Sequence, residues 1–186
     1  MLLLILKINL KNKIMSKKEK KYPYEYALKI AKELVQLLKP HCERIEIAGS
    51  IRRKKAEVGD IELVVISKPY LVGLFENGLA SIVNKWVKVK GDLDYIKCKY
   101  TQRILPSGIK LDLFFANKDN WGYVYAVRTG SADFSHQILA KSWVRAGFKG
   151  KEGMLVRNGK EYPAREEEDF FRMIGVAYVP PEERNM

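Results

Sequence analysis

The sequence predicts an α+β fold in which a mixed sheet, with helices on one face, is followed by a small α+β subdomain. Apolar, β-branched runs at Arg44–Ala48, Ile61–Ile66 and Ile109–Phe115 read as strands, and a helical pattern precedes the first of them. Beyond residue 120 that strand character gives way to helical periodicity broken by one hairpin signal. No repeat and no long linker interrupts the 186 residues, enough for one sizeable core or two small ones sharing an interface.

Taken in order, residues 1–21 form an N-terminal extension. Leu2, Leu4, Leu6, Ile8 and Leu10 alternate, which suits an added edge strand, although Met15 is an equally good start. This apolar stretch is too short to span a bilayer and has neither the basic leader nor the small-residue cleavage site of a secretory signal. SKKEKKYP is a charged lead-in. From Tyr24 to Leu38 the apolar residues recur at helical spacing, and Pro40 stops the run. A short helix is expected over Leu71 to Val83. Trp86–Lys90 and Tyr95–Ile104 read as further strands, with turns at Gly91-Asp92 and Pro106-Ser107-Gly108. Helices are expected over Trp121–Val127 and Phe134–Ala146, with Gly147 as a stop. Asn158-Gly159 signals a hairpin, and Glu166–Met173 a last helix whose early acids suit its dipole. The expected division is 22–116 for the sheet and 117–186 for the second subdomain.

Lys and Arg outnumber Asp and Glu by 34 to 22, a net charge of +12. Such an excess favours a polyanionic partner, because each phosphate neutralised releases a condensed counterion; a basic but otherwise ordinary surface is the alternative. Cys42 and Cys98 lack the spacing of a metal knuckle or a redox pair and read as apolar fillers in a reducing compartment. The chain reads as cytoplasmic, monomeric and without membrane contact.

The chemistry concentrates in GSIRRKKAEVGDIELVV. Asp60 and Glu62 open a strand two positions apart, so their side chains share a face. Like charges held that close make sense mainly with cations between them. Asp112 stands among apolar residues in KLDLFF, where an aspartate is costly unless bonded or metal-bound. Neighbouring strands would bring all three to one Mg²⁺-sized site, the kind that phosphoryl and nucleotidyl transfer require. Gly49 lets backbone approach phosphate, Ser50 offers a hydroxyl donor, and Arg53 offers a bidentate contact. Each piece is common singly; the combination is not.

GSIRR followed by GDIE, with Gly49 and Asp60 eleven positions apart, resembles the palm signature of the polymerase beta-like nucleotidyltransferases. RIEIAGS after a helix, KLDLFF, RTGSADF and EEDFFRMIGVAYVPPEER extend the likeness to family X DNA polymerases over roughly residues 22–184. The resemblance implies a palm at 22–116 and a nucleotide-contacting thumb at 117–186. It implies a DNA polymerase that adds dNTPs to a primer 3′-hydroxyl by two-metal transfer, filling short gaps in repair. By resemblance Asp60, Glu62 and Asp112 hold two Mg²⁺ ions, with Mn²⁺ as a substitute, and Asp112 takes the proton of the 3′-hydroxyl. Ser50, Arg53 and Gly59, with Gly49, meet the triphosphate, and Lys110 lies near the primer end or Asp112. Thr129 and Gly130 face the sugar, Ala132, Asp133 and Ser135 lie near the base, and Arg128 adjoins the DNA. A cis bond at Gly130–Ser131 is also expected.

The pattern departs in places. Glu62 replaces the usual aspartate, and Val127-Arg128 replaces an aromatic pair that guards the sugar, which leaves the choice of dNTP or NTP open. The helix before Gly147 is one residue longer than the family pattern. Too few residues precede Gly49 for the family's lyase and fingers domains, so a minimal palm-plus-thumb form is expected. Its grip on DNA would then use Lys85, Lys88, Lys90, Lys97, Lys99 and Arg103, interleaved with Trp86, Tyr95 and Tyr100, unless these form only the wet face of a sheet. GDLD reads as a solvated turn, His41 and His136 as surface or capping residues, and Trp121, Trp143 and Phe148 as core. Rival readings are a template-independent, RNA or small-molecule nucleotidyltransferase, and a DNA-binding module that has lost activity.

Overall fold

The computed structural model describes residues 20–68, 78–91, 99–151 and 153–186. The alternation of residues 1–14, the start of the helix expected from Leu71, the acids of GDLD, Tyr95, Lys97 and Cys98 lie outside them. A two-residue strand, β1 (Tyr22–Pro23), leads into helix α1 (Tyr24–Leu38), whose ends coincide with those expected. Ala27, Ala31, Leu34 and Leu38 bury one stripe of α1. Pro40 lies in a single 3-10 turn, Lys39–His41, that closes the helix. Strand β2 (Cys42–Ile47) is followed by a one-turn helix, α2 (Gly49–Arg52), where only a basic loop was expected. Then come β3 (Glu57–Val58) and β4 (Asp60–Ser67). Helix α3 (Gly78–Val83), β5 (Val87–Gly91), β6 (Tyr100–Ile104) and β7 (Lys110–Phe115) complete this part.

Five strands form one mixed sheet in the order β2-β4-β7-β6-β5, and β1 pairs separately with β3. β4 and β7 run parallel at its centre, while the other pairs are antiparallel. Burial on both faces explains why these two strands are almost continuously apolar. On one face Ile61, Leu63, Val65, Leu111 and Leu113 pack beneath α1 and α3. The other face is not bare: Val64, Ile66 and Phe114 meet Trp121 and Tyr125 of α4 (Trp121–Thr129). Each such large apolar side chain contributes about 1.5–3 kcal/mol when fully buried. Cys42 sits in the first core, and burial raises its thiol to about 11, as befits an inert filler.

After α4 a helical stretch contains a π segment, Phe134–Ala140, that continues directly as α5 (Lys141–Arg145). A wide turn of this kind can take up an additional residue without ending the helix. Strands β8 (Lys149–Lys151), β9 (Met154–Arg157) and β10 (Lys160–Tyr162) make a three-stranded sheet. Asn158 and Gly159, with φ of 53° and 75°, form its hairpin turn. Helix α6 (Glu167–Met173) follows, capped by a reciprocal pair between Glu166 and Asp169. Phe134, Leu139, Phe148, Leu155, Phe170 and Phe171 form the core of this second part, and Trp143 packs against it. The fold is thus α+β with a mixed sheet and a thumb-like C-terminal region. Among the described residues no helix is long and apolar enough to cross a membrane.

Candidate active site

The last rung between β2 and β4 is the bond from Ala48 N to Glu62 O, 2.8 Å. The chain then turns at Gly49 with φ of +58°. A Cβ at Gly49 would lie 1.6 Å from Glu62 Oε2, so only glycine fits between this turn and that carboxylate. Ser50 follows, its Oγ buried and without a hydrogen-bond partner among the described residues. A buried orphan hydroxyl costs free energy unless something arrives to use it.

The parallel register pairs Asp60 with Lys110 and Glu62 with Asp112. Alternation along both strands therefore puts the three acids and Lys110 on the sheet face that α4 covers further along. Asp112 is buried, and its Oδ1 accepts from Gln102 Nε2 at 2.7 Å and from the Tyr100 hydroxyl at 3.0 Å. Burial, reinforced by the Asp112 charge and this bond, pushes the Tyr100 hydroxyl well above its ordinary range. Burial first, and then Asp60 and Asp112, raise Glu62 to about 8 against the partial opposition of Arg53 and Arg128. Among the described residues, however, no three His, Cys, Asp or Glu side chains close into a metal-holding cluster. Three like charges have no reason of their own to converge on a point.

Around this face the other expected residues divide. Arg53, half-buried, donates Nη1 to Thr129 O at 2.6 Å and Nε to Asn185 Oδ1 at 2.9 Å. Its burial lowers its pKa, and attraction to Glu62 and Asp60 partly offsets that. Thr129 is fully buried and its Oγ1 accepts from Arg52 Nη1 at 2.6 Å, so its hydroxyl serves the protein. Exposed Arg128 holds its guanidinium 4.1 Å from the Phe114 ring centre, beside Asp112 on the same face. Gly59 sits between β3 and Asp60, and Asp133 is exposed at the start of the thumb-like helix.

Two expectations fail. No peptide bond is cis among the described residues: Gly130–Ser131 is trans, with Ser131 N donating to Arg184 O at 3.0 Å. The Ser135 hydroxyl donates to Val127 O at 2.9 Å and so ties the helix back to α4. Arg103 is 2% exposed, which removes it from any DNA-facing surface, whereas Lys85, Lys88, Lys90 and Lys99 are exposed. Sequence reasoning also missed Arg52, Glu167 and Arg184, the last two buried. Their only signal was charge in segments that ordinarily sit in water.

Residues 125–185 match the family model of the DNA polymerase beta thumb. The C-terminal region is thus similar to a polymerase beta thumb. Its match begins at Tyr125 within α4, spans the π segment and the three-stranded sheet, and reaches the tail that holds Arg53. A comparison with curated proteins finds no match.

Proposed function

We propose that this protein is a DNA polymerase of the family X type, adding dNTPs to a primer 3′-hydroxyl at short gaps in duplex DNA. The polymerase beta-like thumb supports DNA as the partner, and the net charge of +12 fits a polyanion. The observation that carries the catalytic half of the reading is the parallel register of β4 and β7, with Glu62 opposite Asp112 beside the Gly49-Ser50 turn.

The oxygen-only donor set, the orphan Ser50 hydroxyl and the glycine cradle fit a hard divalent ion and a triphosphate. Asp60, Glu62 and Asp112 would hold two Mg²⁺ or Mn²⁺ ions, which when bound supply charge stabilisation at the attacking and leaving oxygens. The protein's own groups do the rest. Ser50 donates to the triphosphate, Gly49 and Gly59 let backbone approach it, and Arg53 balances charge on the departing pyrophosphate. Asp112, held at Oδ1 by Tyr100 and Gln102, receives the proton of the 3′-hydroxyl, and Lys110 lies beside it at the primer end. The Thr129-Gly130 bend and Asp133 border the nucleotide, and Arg128 and the exposed lysines of β5 border the DNA.

Primer extension on a gapped duplex, with dNTPs and with NTPs and either metal ion, tests this. Wild type is expected to extend, and Asp112→Ala to lose at least about a hundredfold in rate. Extension undiminished in Asp112→Ala would end the assignment. Glu62, where the family pattern has an aspartate, motivates a second reading, a DNA-binding module without catalysis. Wild type that binds gapped DNA but extends nothing in either metal would establish it.

A further inference from the structure

The two carboxylate oxygens of Asp112 meet different surroundings. Oδ1 accepts from Gln102 Nε2 at 2.7 Å and from the Tyr100 hydroxyl at 3.0 Å, while Oδ2 accepts no hydrogen bond among the described residues. Sheet register dictates this asymmetry. Gln102 stands opposite Asp112 in the antiparallel β6-β7 pair, and Tyr100 stands opposite Phe114, one step along the same face. A long amide therefore reaches straight across its rung, and a tyrosine reaches the same oxygen on the diagonal. The Tyr100 ring is itself held, stacked on Phe114 with centres 5.0 Å apart and planes 23° apart. That Phe114 ring also carries the Arg128 guanidinium at 4.1 Å. Thr101, between the two donors, is fully buried and turned to the other face, where its Oγ1 donates to Lys90 O at 3.0 Å.

We infer that Tyr100 and Gln102 are positioning residues that divide the work of the Asp112 oxygens, with Oδ1 held by the sheet and Oδ2 turned to the reacting atoms. The inference rests on the reading above, in which Asp112 takes the proton of the 3′-hydroxyl. An unrestrained carboxylate turns easily about χ2, a broad two-fold torsion, and offers either oxygen in many directions. Two donors on one oxygen remove that freedom before any substrate arrives. They also engage the lone pairs of Oδ1, which leaves Oδ2 the better base. Orientation of this kind acts on the chemical step, since a displacement of about 1 Å costs up to about a hundredfold in rate. It leaves nucleotide binding, which the reading assigns to other groups, almost untouched.

The test compares full-length Tyr100→Phe, Gln102→Leu, their double variant, and Thr101→Val, which removes a hydrogen bond from the other face of the same strand. Metal-free crystal structures report the Asp112 carboxylate without turnover. Wild type should hold Oδ1 on both donors, and the double variant should show the carboxylate rotated or spread over two orientations. In dNTP extension of a gapped duplex the double variant should lose roughly thirtyfold in kcat and each single variant roughly fivefold, while KM for dNTP moves less than about threefold. Thr101→Val should lose unfolding temperature yet keep kcat within about twofold. An unmoved carboxylate in the double variant, wild-type kcat there, or an equal kcat loss in Thr101→Val would overturn the inference. If the double variant does not fold, the single variants decide, because Tyr100→Phe removes one oxygen and keeps the stack; wild-type kcat in both would equally overturn it. Wild type that extends nothing in either metal would sink the functional reading and the inference with it. Wild type that extends while the variants match it would sink the inference alone.

Discussion

Glu62 and Glu167 are both glutamates drawn out of water beside the same short turn, yet their surroundings have opposite sign. Glu62 faces two further acids, and burial with their repulsion holds it near 8. At Glu167 burial also pushes upward, but Arg52 and Arg184 outweigh it and keep the carboxyl below its ordinary value. The first cluster gathers carboxylates that repel one another, while at the second a single carboxylate is held by two guanidiniums. On the proposed function the comparison separates a site that would take up cations from a joint held by the protein's own charges, although both consist of the same residue types.

The largest expected effect lies at the joint. Glu167→Ala leaves Arg52 and Arg184 without their anion and should cost about 3–5 kcal/mol in denaturant unfolding at neutral pH. Because the folded-state pKa is depressed, this stabilisation is present above the ordinary value of 4.5 and fades as pH falls through the lower folded value. A loss below about 1 kcal/mol would class the cluster with surface ion pairs and dissolve the contrast.

The sign reverses at Glu62. Its folded pKa is raised, so its favourable contribution is full below 4.5 and is lost as pH rises towards about 8. In chelator, Glu62→Gln should be the more stable protein at pH 8, by on the order of 1 kcal/mol after allowance for partial exposure, and the two should converge towards pH 4.5. Adding Mg²⁺ should raise the unfolding temperature of wild type more than that of the variant. Parallel pH profiles would mean that Glu62 carries no such strain.

The two clusters also differed in how far the sequence exposed them. Strand alternation located Asp60, Glu62 and Asp112, because period two and a costly aspartate in KLDLFF are local facts. Whether β4 and β7 were neighbours was not local, and only the register settles it. Helix α1 matched its expected ends because an apolar stripe and Pro40 both mark them. β8 escaped notice because Lys149-Gly150-Lys151 has no apolar alternation, and its strand exists only by pairing with β9. Helix α2 looked like a basic loop for the same reason: its single turn is held by tertiary contacts of Arg52 and Arg53. Glu167 was hidden most completely. In an acidic run at a helix start it reads as a solvated dipole partner, and Arg52 lies 115 positions earlier.

On the proposed function the acids at 60, 62 and 112 share divalent ions beside Gly49-Ser50. Electron paramagnetic resonance of Mn²⁺, titrated into protein with dNTP and a gapped duplex bearing a dideoxy-terminated primer, measures this without turnover. Wild type should hold about two ions per chain, as a two-metal site requires, and Asp112→Asn should lose at least one. Equal Mn²⁺ uptake by wild type and Asp112→Asn would mean that Asp112 holds no ion.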